Sequence, residues 1–339
     1  MTTQVLPKLN SIGDWASLAF EKHFQKTLKH ELEVLKDKEP EELHQMRIGI
    51  RRLRSAAQGF RLVVALPKAA QDQKIGKISR FLGGLRDLDV LLEALENRYK
   101  PNLPSIEQVV IEQALQKLRE QRHQAFKKVR KLLKHQSYLM FKKKFQEWLD
   151  NPIYRDIYQL PIQKVLPDLL LPEISQLFLH SGWLVGIEKE NWETNNNHDF
   201  LLQKINSKDQ VIKINDDTSA ININDAEEKK LHSLRKKVKE VRYQMSLFTE
   251  FYGSTYKAYL KDMKELQEYL GDIQDSVVLR NFLESILQSN IDKVLPSFVK
   301  QLQQGREKAL RKWQVLQRRY LNIHVRQNFR LELLRPLNL

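Results

Sequence analysis

The chain has 339 residues, no cysteine and a formal net charge of +15 at pH 7. The lack of cysteine excludes disulfide bonds, thiolate metal sites and thiol catalysis. The charge predicts a polyanionic partner such as nucleic acid, an anionic membrane surface or polyphosphate. Glycine and proline number only 11 each, whereas leucine, lysine, glutamine, glutamate and arginine dominate, so we expect a mostly α-helical globular protein.

The cellular location is predicted from the N-terminus and the apolar runs. Met1–Phe20 has no basic stretch followed by an apolar one, so no secretory signal is apparent. No apolar run approaches the ~20 residues that cross a bilayer. We therefore expect a cytoplasmic protein without a membrane partner.

The first half is predicted to be a series of helices separated by prolines. Apolar residues recur at helical spacing from Ser11 to about Asp37. Pro40 and the two glutamates after it predict a helix start, and Pro67 predicts its end at about Leu66. Further helices are predicted over 78–98 and over 105–149, the latter as one long helix or two. Shorter apolar segments follow, and their predicted boundaries are Pro152, Pro161, Pro167 and Pro172. One of these segments is a predicted buried helix over 166–183.

Residues 190–228 have a different composition, rich in acids and asparagine. Two short β-prone runs, 210–215 and 220–224, flank Asp216-Asp-Thr-Ser and predict a small β-hairpin. The acidic composition is equally typical of a flexible insertion, and both interpretations stay open.

The helix after Pro40 carries two stripes of opposite character. Its apolar stripe, with Met46, Ile50 and Leu53, must face a core. Its cationic stripe, which spans about 80° at ~100° per residue, consists of His44, Arg47, Arg51 and Arg54. Because no acidic residue occurs between Leu43 and Gln71, this composition favours an anion site over an ordinary solvated face.

The same pattern returns 188 residues later, in Leu231–Arg242. Its basic positions at the matching spacing are His232, Arg235, Lys239 and Arg242. A second pair of segments, Ile78–Val90 and Leu266–Val278, matches at the same offset, and a third, Arg122–Lys128 and Arg306–Lys312, matches at 184. The sequence therefore predicts an internal duplication of a helical bundle.

The second pair of segments also brings glycines and aspartates into register. Gly83 coincides with Gly271, and Asp87 with Asp275. We interpret the glycines as close-packing points between helices, because glycine within a helix otherwise destabilises it. We interpret the two aspartates as partners that orient motif arginines.

The paired motifs resemble those of the CHAD family, which is named for its histidine-marked α-helical domain. The matching residues are Leu43–Arg54, the Leu82-Gly-x-x-Arg-Asp-x-Asp-Val90 segment and Leu231-His-x-Leu-Arg-Lys. The likeness covers roughly residues 10–330 apart from the acidic insertion. Where the family motif has Arg86 and Asp89, the second half has Gln274 and Val277, so any cavity is expected to be less symmetric than the family's.

This resemblance implies an all-α fold of two pseudo-symmetric four-helix bundles around a basic central cavity. Residues 1–339 would form a single CHAD domain, with a first repeat at 11–150, connecting helices at 151–189, the insertion at 190–228 and a second repeat at 229–330. The implied function is binding of inorganic polyphosphate without catalysis, cofactor or metal, at polyphosphate granules. The implied ligand residues are His44, Arg47, Arg51, Arg52, Arg54, Arg122, Lys128, His232, Arg235, Lys236, Lys239, Arg242, Arg306 and Lys312.

Three alternative functions are weaker. Divalent-metal chelation would use His44, His232, Asp87 and Asp89, but the surrounding arginines repel cations and no HxxxH or HExxH spacing is present. Nucleic-acid binding fits the charge, yet no nucleic-acid recognition motif occurs, so we expect it to be at most non-specific. A phosphate-chain hydrolase or kinase would need a glycine-rich phosphate loop, a carboxylate metal site or an activated nucleophile, and none is evident.

Overall fold

The computed structural model describes residues 11–187 and 223–337, and this part of the chain is all-α. Its β structure consists of two isolated bridges, Ser11 with Pro161 and Val64 with Tyr154. Among these residues no helix is long and apolar enough to cross a membrane. The helices are α1 (Ile12–Lys36), α2 (Pro40–Gly59), α3 (Asp72–Glu93), α4 (Ser105–Leu133), α5 (Gln136–Asp150), α6 (Ile162–Phe178), α7 (Asp225–Leu247), α8 (Ser254–Leu287), α9 (Ile291–Val294), α10 (Pro296–Leu321) and α11 (Ile323–Leu333).

The described chain forms two compact units. The first comprises the chain up to Val165 together with Leu283–Phe298, and the second comprises Leu166–Phe282 and Val299 onwards. These units cut across the predicted connecting segment 151–189, which is divided at Val165. The all-α class is confirmed, and the four-helix arrangement of each bundle stays a prediction.

In the first unit, the start of α1 is fixed by a reciprocal cap. Ser11 Oγ accepts a hydrogen bond from the Asp14 amide at 3.1 Å, and the Asp14 carboxylate accepts one from the Ser11 amide at 3.2 Å. The buried face of α1 then places Phe20 and Phe24 against the aromatic side chains of α5. Further along, α1 packs on α2, α2 on α3, and α3 on α4, so successive helices in the sequence are neighbours in space.

The helix that carries the cationic stripe is shorter than predicted. The predicted end at about Leu66 was wrong, because α2 ends at Gly59. The chain then turns, and the backbone of Val63 and Ala65 pairs with 153–155: the Ala65 amide donates to Ile153 at 2.9 Å, and the Arg155 amide donates to Val63 at 2.8 Å. These bonds satisfy the backbone groups that a longer helix would have used.

Prolines mark the helix boundaries less strictly than predicted. Pro167 and Pro172 were expected to bound segments, but both lie inside α6. A proline inside a helix costs about 3 kcal/mol, and here it is offset by burial of the apolar face that holds Leu166, Leu170 and Ile174. The predicted segment 105–149 consists of two helices, α4 and α5, and α3 is followed by a π-helical turn, Ala94–Tyr99.

In the second unit, α7 starts with a cap of the same kind as α1. Asn224 Oδ1 accepts from the Glu227 amide at 3.0 Å, and Glu227 accepts from the Asn224 amide at 3.2 Å. The predicted insertion 190–228 therefore ends in the first turn of a helix, whereas the predicted β-hairpin lies outside the described residues. Buried aromatic pairs hold the unit together, for example Tyr259 stacked on Phe329 with centroids 4.1 Å apart.

A buried carboxylate holds the N-terminus of α10. Glu107 of α4, only 5% exposed, accepts hydrogen bonds from the Ser297 and Phe298 amides at 3.0 Å each. A carboxylate in this position satisfies two amides that have no partner within the helix and complements the helix dipole.

We therefore expect Glu107→Ala to lower the free energy of unfolding by about 2–3 kcal/mol, because it leaves buried amides unsatisfied. Urea unfolding followed by circular dichroism measures the loss. The matched control is Glu120→Ala, an exposed glutamate on the same helix. Equal stability of the two variants would contradict a capping role for Glu107.

Candidate cationic site

The apolar face of α2 determines where its cationic residues point. Met46, Ile50 and Leu53 are fully buried, so the opposite stripe of His44, Arg47, Arg51 and Arg54 is turned away from the core and is half-buried. We call this set the α2 stripe. Its counterpart on α7, which we call the α7 stripe, consists of His232, Arg235, Lys239 and Arg242, also half-buried.

Arg47 lies across α3 at a point where α3 has no side chain. A Cβ atom placed at Gly83 would lie 3.6 Å from Nε of Arg47. One turn further along α3, Asp87 Oδ1 lies 3.2 Å from Nη2 of the same arginine. The guanidinium therefore lies in van der Waals range of the glycine and beside the carboxylate.

The second unit repeats this arrangement at the matching positions. A Cβ atom at Gly271 would lie 3.3 Å from Nη2 of Arg235, and Asp275 lies 3.8 Å from that nitrogen. Both aspartates therefore lie beside motif arginines, and their orienting role stays a prediction. Both glycines lie against an arginine side chain of the neighbouring helix, but an added Cβ atom would be crowded only at Gly271.

The ends of the two stripes differ in charge. Arg54 donates to both carboxylate oxygens of Asp72, at 2.8 and 3.2 Å. Its counterpart Arg242 donates instead to the amide oxygen of Gln267 at 3.0 Å and lies 4.4 Å from the ring centroid of Tyr243. A neutral amide leaves the positive charge of Arg242 uncancelled, so the α7 stripe retains more net charge at this end.

The motif histidines share an unusual environment. In both His44 and His232 the Nδ1 atom is buried and has no hydrogen-bond partner among the described residues. Burial lowers the pKa of His44, and the nearby Arg86 lowers it further. Burial and then Lys236 lower the pKa of His232, which a hydrogen bond to Gln274 partly opposes. Both rings are therefore neutral at pH 7.

Arg86 is a site residue that the sequence-based selection missed. It lies on α3 beside His44, its side chain is only 15% exposed, and its nearest carboxylate partner, Glu93, is 3.9 Å away. The signal was present, since Arg86 is part of the Leu82–Val90 motif and is replaced by Gln274 in the other half.

Arg122 and Arg306 are held by carboxylates. Arg122 donates to both oxygens of Asp37 at 2.6 Å and to Asp89 at 2.8 Å. Arg306 donates to Glu228 at 2.8 Å. The hydrogen bonds that Arg122 donates to Asp37 raise the pKa of Arg122, whereas burial raises the pKa of Asp89. Because their charges are already neutralised, we assign these two predicted ligand residues to structural ion pairs.

The remaining predicted residues lie at exposed positions or face another helix. Lys128, Lys236 and Lys312 are exposed, and the Lys312 ammonium lies 5.4 Å from the Tyr269 ring centroid. Arg52 lies off the α2 stripe and faces α1, where it affects Lys26 and His23 electrostatically.

The aspartates that the alternative function of metal chelation would use are paired with arginines. Asp87 pairs with Arg47, and Asp89 pairs with Arg122. Within 11–187 and 223–337, no group of three or more histidine, aspartate or glutamate side chains could hold a metal ion.

We expect Arg122→Gln to destabilise the protein by about 3 kcal/mol, because it leaves the buried Asp89 charge without its partner. Thermal or urea unfolding measures the change. Adding Asp89→Asn should recover part of the loss, and Arg119→Gln, at a more exposed ion pair on the same helix, should cost far less. A loss below about 0.5 kcal/mol would contradict the structural role.

Comparison with known proteins places this site in a family. The fold is similar to the CHAD domain from the plant Ricinus communis, with a TM-score of 0.52 and 21% identity over 99% of this chain and 97% of that one. It is also similar to PptA from Streptomyces chartreusis, with a TM-score of 0.61 and 11% identity over 90% of this chain and 99% of that one. No curated protein sequence matches significantly. The family model described as "CHAD domain" matches residues 18–284, a range that includes both stripes, and the chain therefore belongs to the CHAD domain family.

Proposed function

We propose that this protein binds inorganic polyphosphate through the α2 and α7 stripes and releases it chemically unchanged. The observation that carries the proposal is the repeated arrangement in which an arginine lies over a glycine beside an aspartate. It occurs as Arg47 with Gly83 and Asp87, and as Arg235 with Gly271 and Asp275. The overall charge of +15 and membership of the CHAD family support the same ligand class.

The chemistry of the stripes suits a flexible polyanion. Polyphosphate has about one negative charge per phosphate and no bases, so a receptor needs a row of cationic donors and no groups that read base edges. Arginine offers paired N–H donors that match phosphate oxygens, and lysine offers a compact charge. The aspartate beside each central arginine reduces self-repulsion in the free protein and fixes the guanidinium before ligand arrives. Such a protein is expected in the cytoplasm, at polyphosphate granules.

Binding should depend steeply on salt, because the ligand releases condensed counterions when the arginines neutralise it. Removing Arg47 and Arg235 together (Arg47→Gln, Arg235→Gln) should reduce the slope of log affinity against log salt by about 0.7–1 per residue. Each single variant should weaken binding about 5- to 20-fold. Isothermal titration calorimetry with polyphosphate at two salt concentrations measures both effects.

The matched control for these variants is Arg311→Gln, which removes the same charge from an exposed site on α10. Polyphosphate recovered after incubation with the protein and magnesium should keep its length. If Arg311→Gln weakened binding as much as Arg47→Gln, or if the recovered chains were shortened, the proposal would be wrong.

The lowered pKa values of His44 and His232 give the binding a defined pH dependence. Above pH 6.5 both rings are neutral and contribute no charge, and as the pH falls through their lowered pKa values each gains a positive charge. We therefore expect polyphosphate affinity to rise as the pH falls below 6.5. The variant His44→Gln, His232→Gln should match wild type at pH 7.5 and lack this gain. An identical pH profile for both proteins would show that the histidines do not take part.

A further inference from the structure

A second group of cations lies on the opposite flank of α2 from the stripe. At ~100° per residue, Arg52 lies about 120° from the centre of the α2 stripe and about 60° from Gly49. Gly49 marks the close contact with α1, because a Cβ atom there would lie 2.6 Å from Oγ1 of Thr27. Arg52 therefore lies beside the turn of α1 that carries Lys22 and Lys26, away from the stripe.

These cations lack carboxylate partners of the kind that Arg54 and Arg122 have in the same unit. None of Lys22, Lys26 and Arg52 forms an ion pair or hydrogen bond with another side chain in the described part of the protein. Glu41 raises the pKa of Lys26, but by less than Arg52 lowers it. Burial lowers the pKa of Lys26, and Arg52 is the next largest cause, which indicates that the two cations are close together.

A buried histidine lies against the same cluster. His23 is 6% exposed, and its Nδ1 atom is buried without a hydrogen-bond partner among the described residues. Burial lowers the pKa of this ring to about 4, with further contributions from Arg52 on α2 and from Lys22 and Lys26 on α1. His23 therefore reports how much positive charge surrounds it.

The cluster is not part of the duplicated motif. The position that matches Arg52 in the second half is Glu240, which lies 3.6 Å from Lys237. Two equivalent helices thus carry opposite charges here, while the stripe positions keep the same sign. A property confined to the first half cannot be explained by the function that the two stripes share.

We propose that Lys22, Lys26 and Arg52 form a second oxyanion site, separate from both stripes, that takes a phosphate group. The guanidinium offers paired donors and the ammonium groups offer compact charges, which is the donor set that phosphate prefers. A bound phosphate cancels the repulsion between the cations and so makes protonation of His23 easier. The site takes either a free phosphate or a segment of a condensed phosphate chain, and it does not require the stripes to bind polyphosphate.

The test follows the ring signals of His23 by NMR during a pH titration of the full chain. Titrations are run without added anion, with inorganic phosphate and with sodium tripolyphosphate. In the wild type we expect anion to raise the pKa of His23 by at least about half a unit. A response to both anions shows a site for free phosphate, and a response to tripolyphosphate alone shows a site for condensed phosphate, so either outcome supports the proposal.

Three variants accompany the wild type. Lys26→Gln with Arg52→Gln should abolish the response to anion, and Arg52→Glu, which introduces the residue found in the second half, should do the same. Lys131→Gln with Lys134→Gln removes two exposed charges from the end of α4 and should leave the response intact.

The wild-type titration decides the matter even if a variant fails to fold. A His23 pKa that neither anion changes would overturn the second site. In that case the proposed function would still be supported if calorimetry showed polyphosphate binding and if Arg47→Gln and Arg235→Gln weakened that binding. Conversely, a His23 response without polyphosphate binding at the stripes would leave the second site standing and overturn the proposed function.

Discussion

Crowding of positive charge along one side of a helix is the constraint on which much of this structure depends. The apolar face of α2 is anchored by fully buried side chains such as Ile50 and Leu53, so the arginines cannot rotate away from one another. Like charges on one helix face repel. The protein limits this repulsion by placing an aspartate of the next helix beside the central arginine of each stripe. That arginine also lies close to a glycine of the neighbouring helix, Gly83 or Gly271, and stays half-buried.

The two units apply this solution with different degrees of neutralisation. In the first, the stripe ends at Arg54, which is held by both oxygens of Asp72. In the second, Arg242 has an uncharged partner in Gln267. At the histidines it is the first unit that has the additional positive charge. His44 lies beside the cation Arg86, whereas at the matching position His232 forms a hydrogen bond with the neutral Gln274. Duplication has kept the geometry of the central arginine and has let the surrounding charges diverge.

Arginines elsewhere in the chain have a different role, which their sequence context does not reveal. Arg122 and Arg306 lie at matching positions in segments with many cations, yet each is bound to a carboxylate from another element of its own unit. A partly buried ion pair of this kind costs desolvation energy, and breaking it leaves an uncompensated charge. These two arginines therefore hold helices in position. A count of basic residues along α4 or α10 cannot separate such ties from residues that are available to a ligand.

Much of the fold and of the candidate site could be predicted from the sequence alone. Apolar periodicity predicted the helices, because burial of an apolar face imposes a period of 3.6 residues. The constant offset of 188 identified the duplication, and the two motif copies identified the stripes and the aspartates that lie beside their central arginines. Only the tertiary structure decided which cations are neutralised. The carboxylates that bind the arginines are distant from them in the sequence or belong to no shared motif, as with Asp37, Asp72 and Glu228. It also decided that α2 ends at Gly59 and that Arg52 faces α1, since contacts with other segments of the chain fix both features.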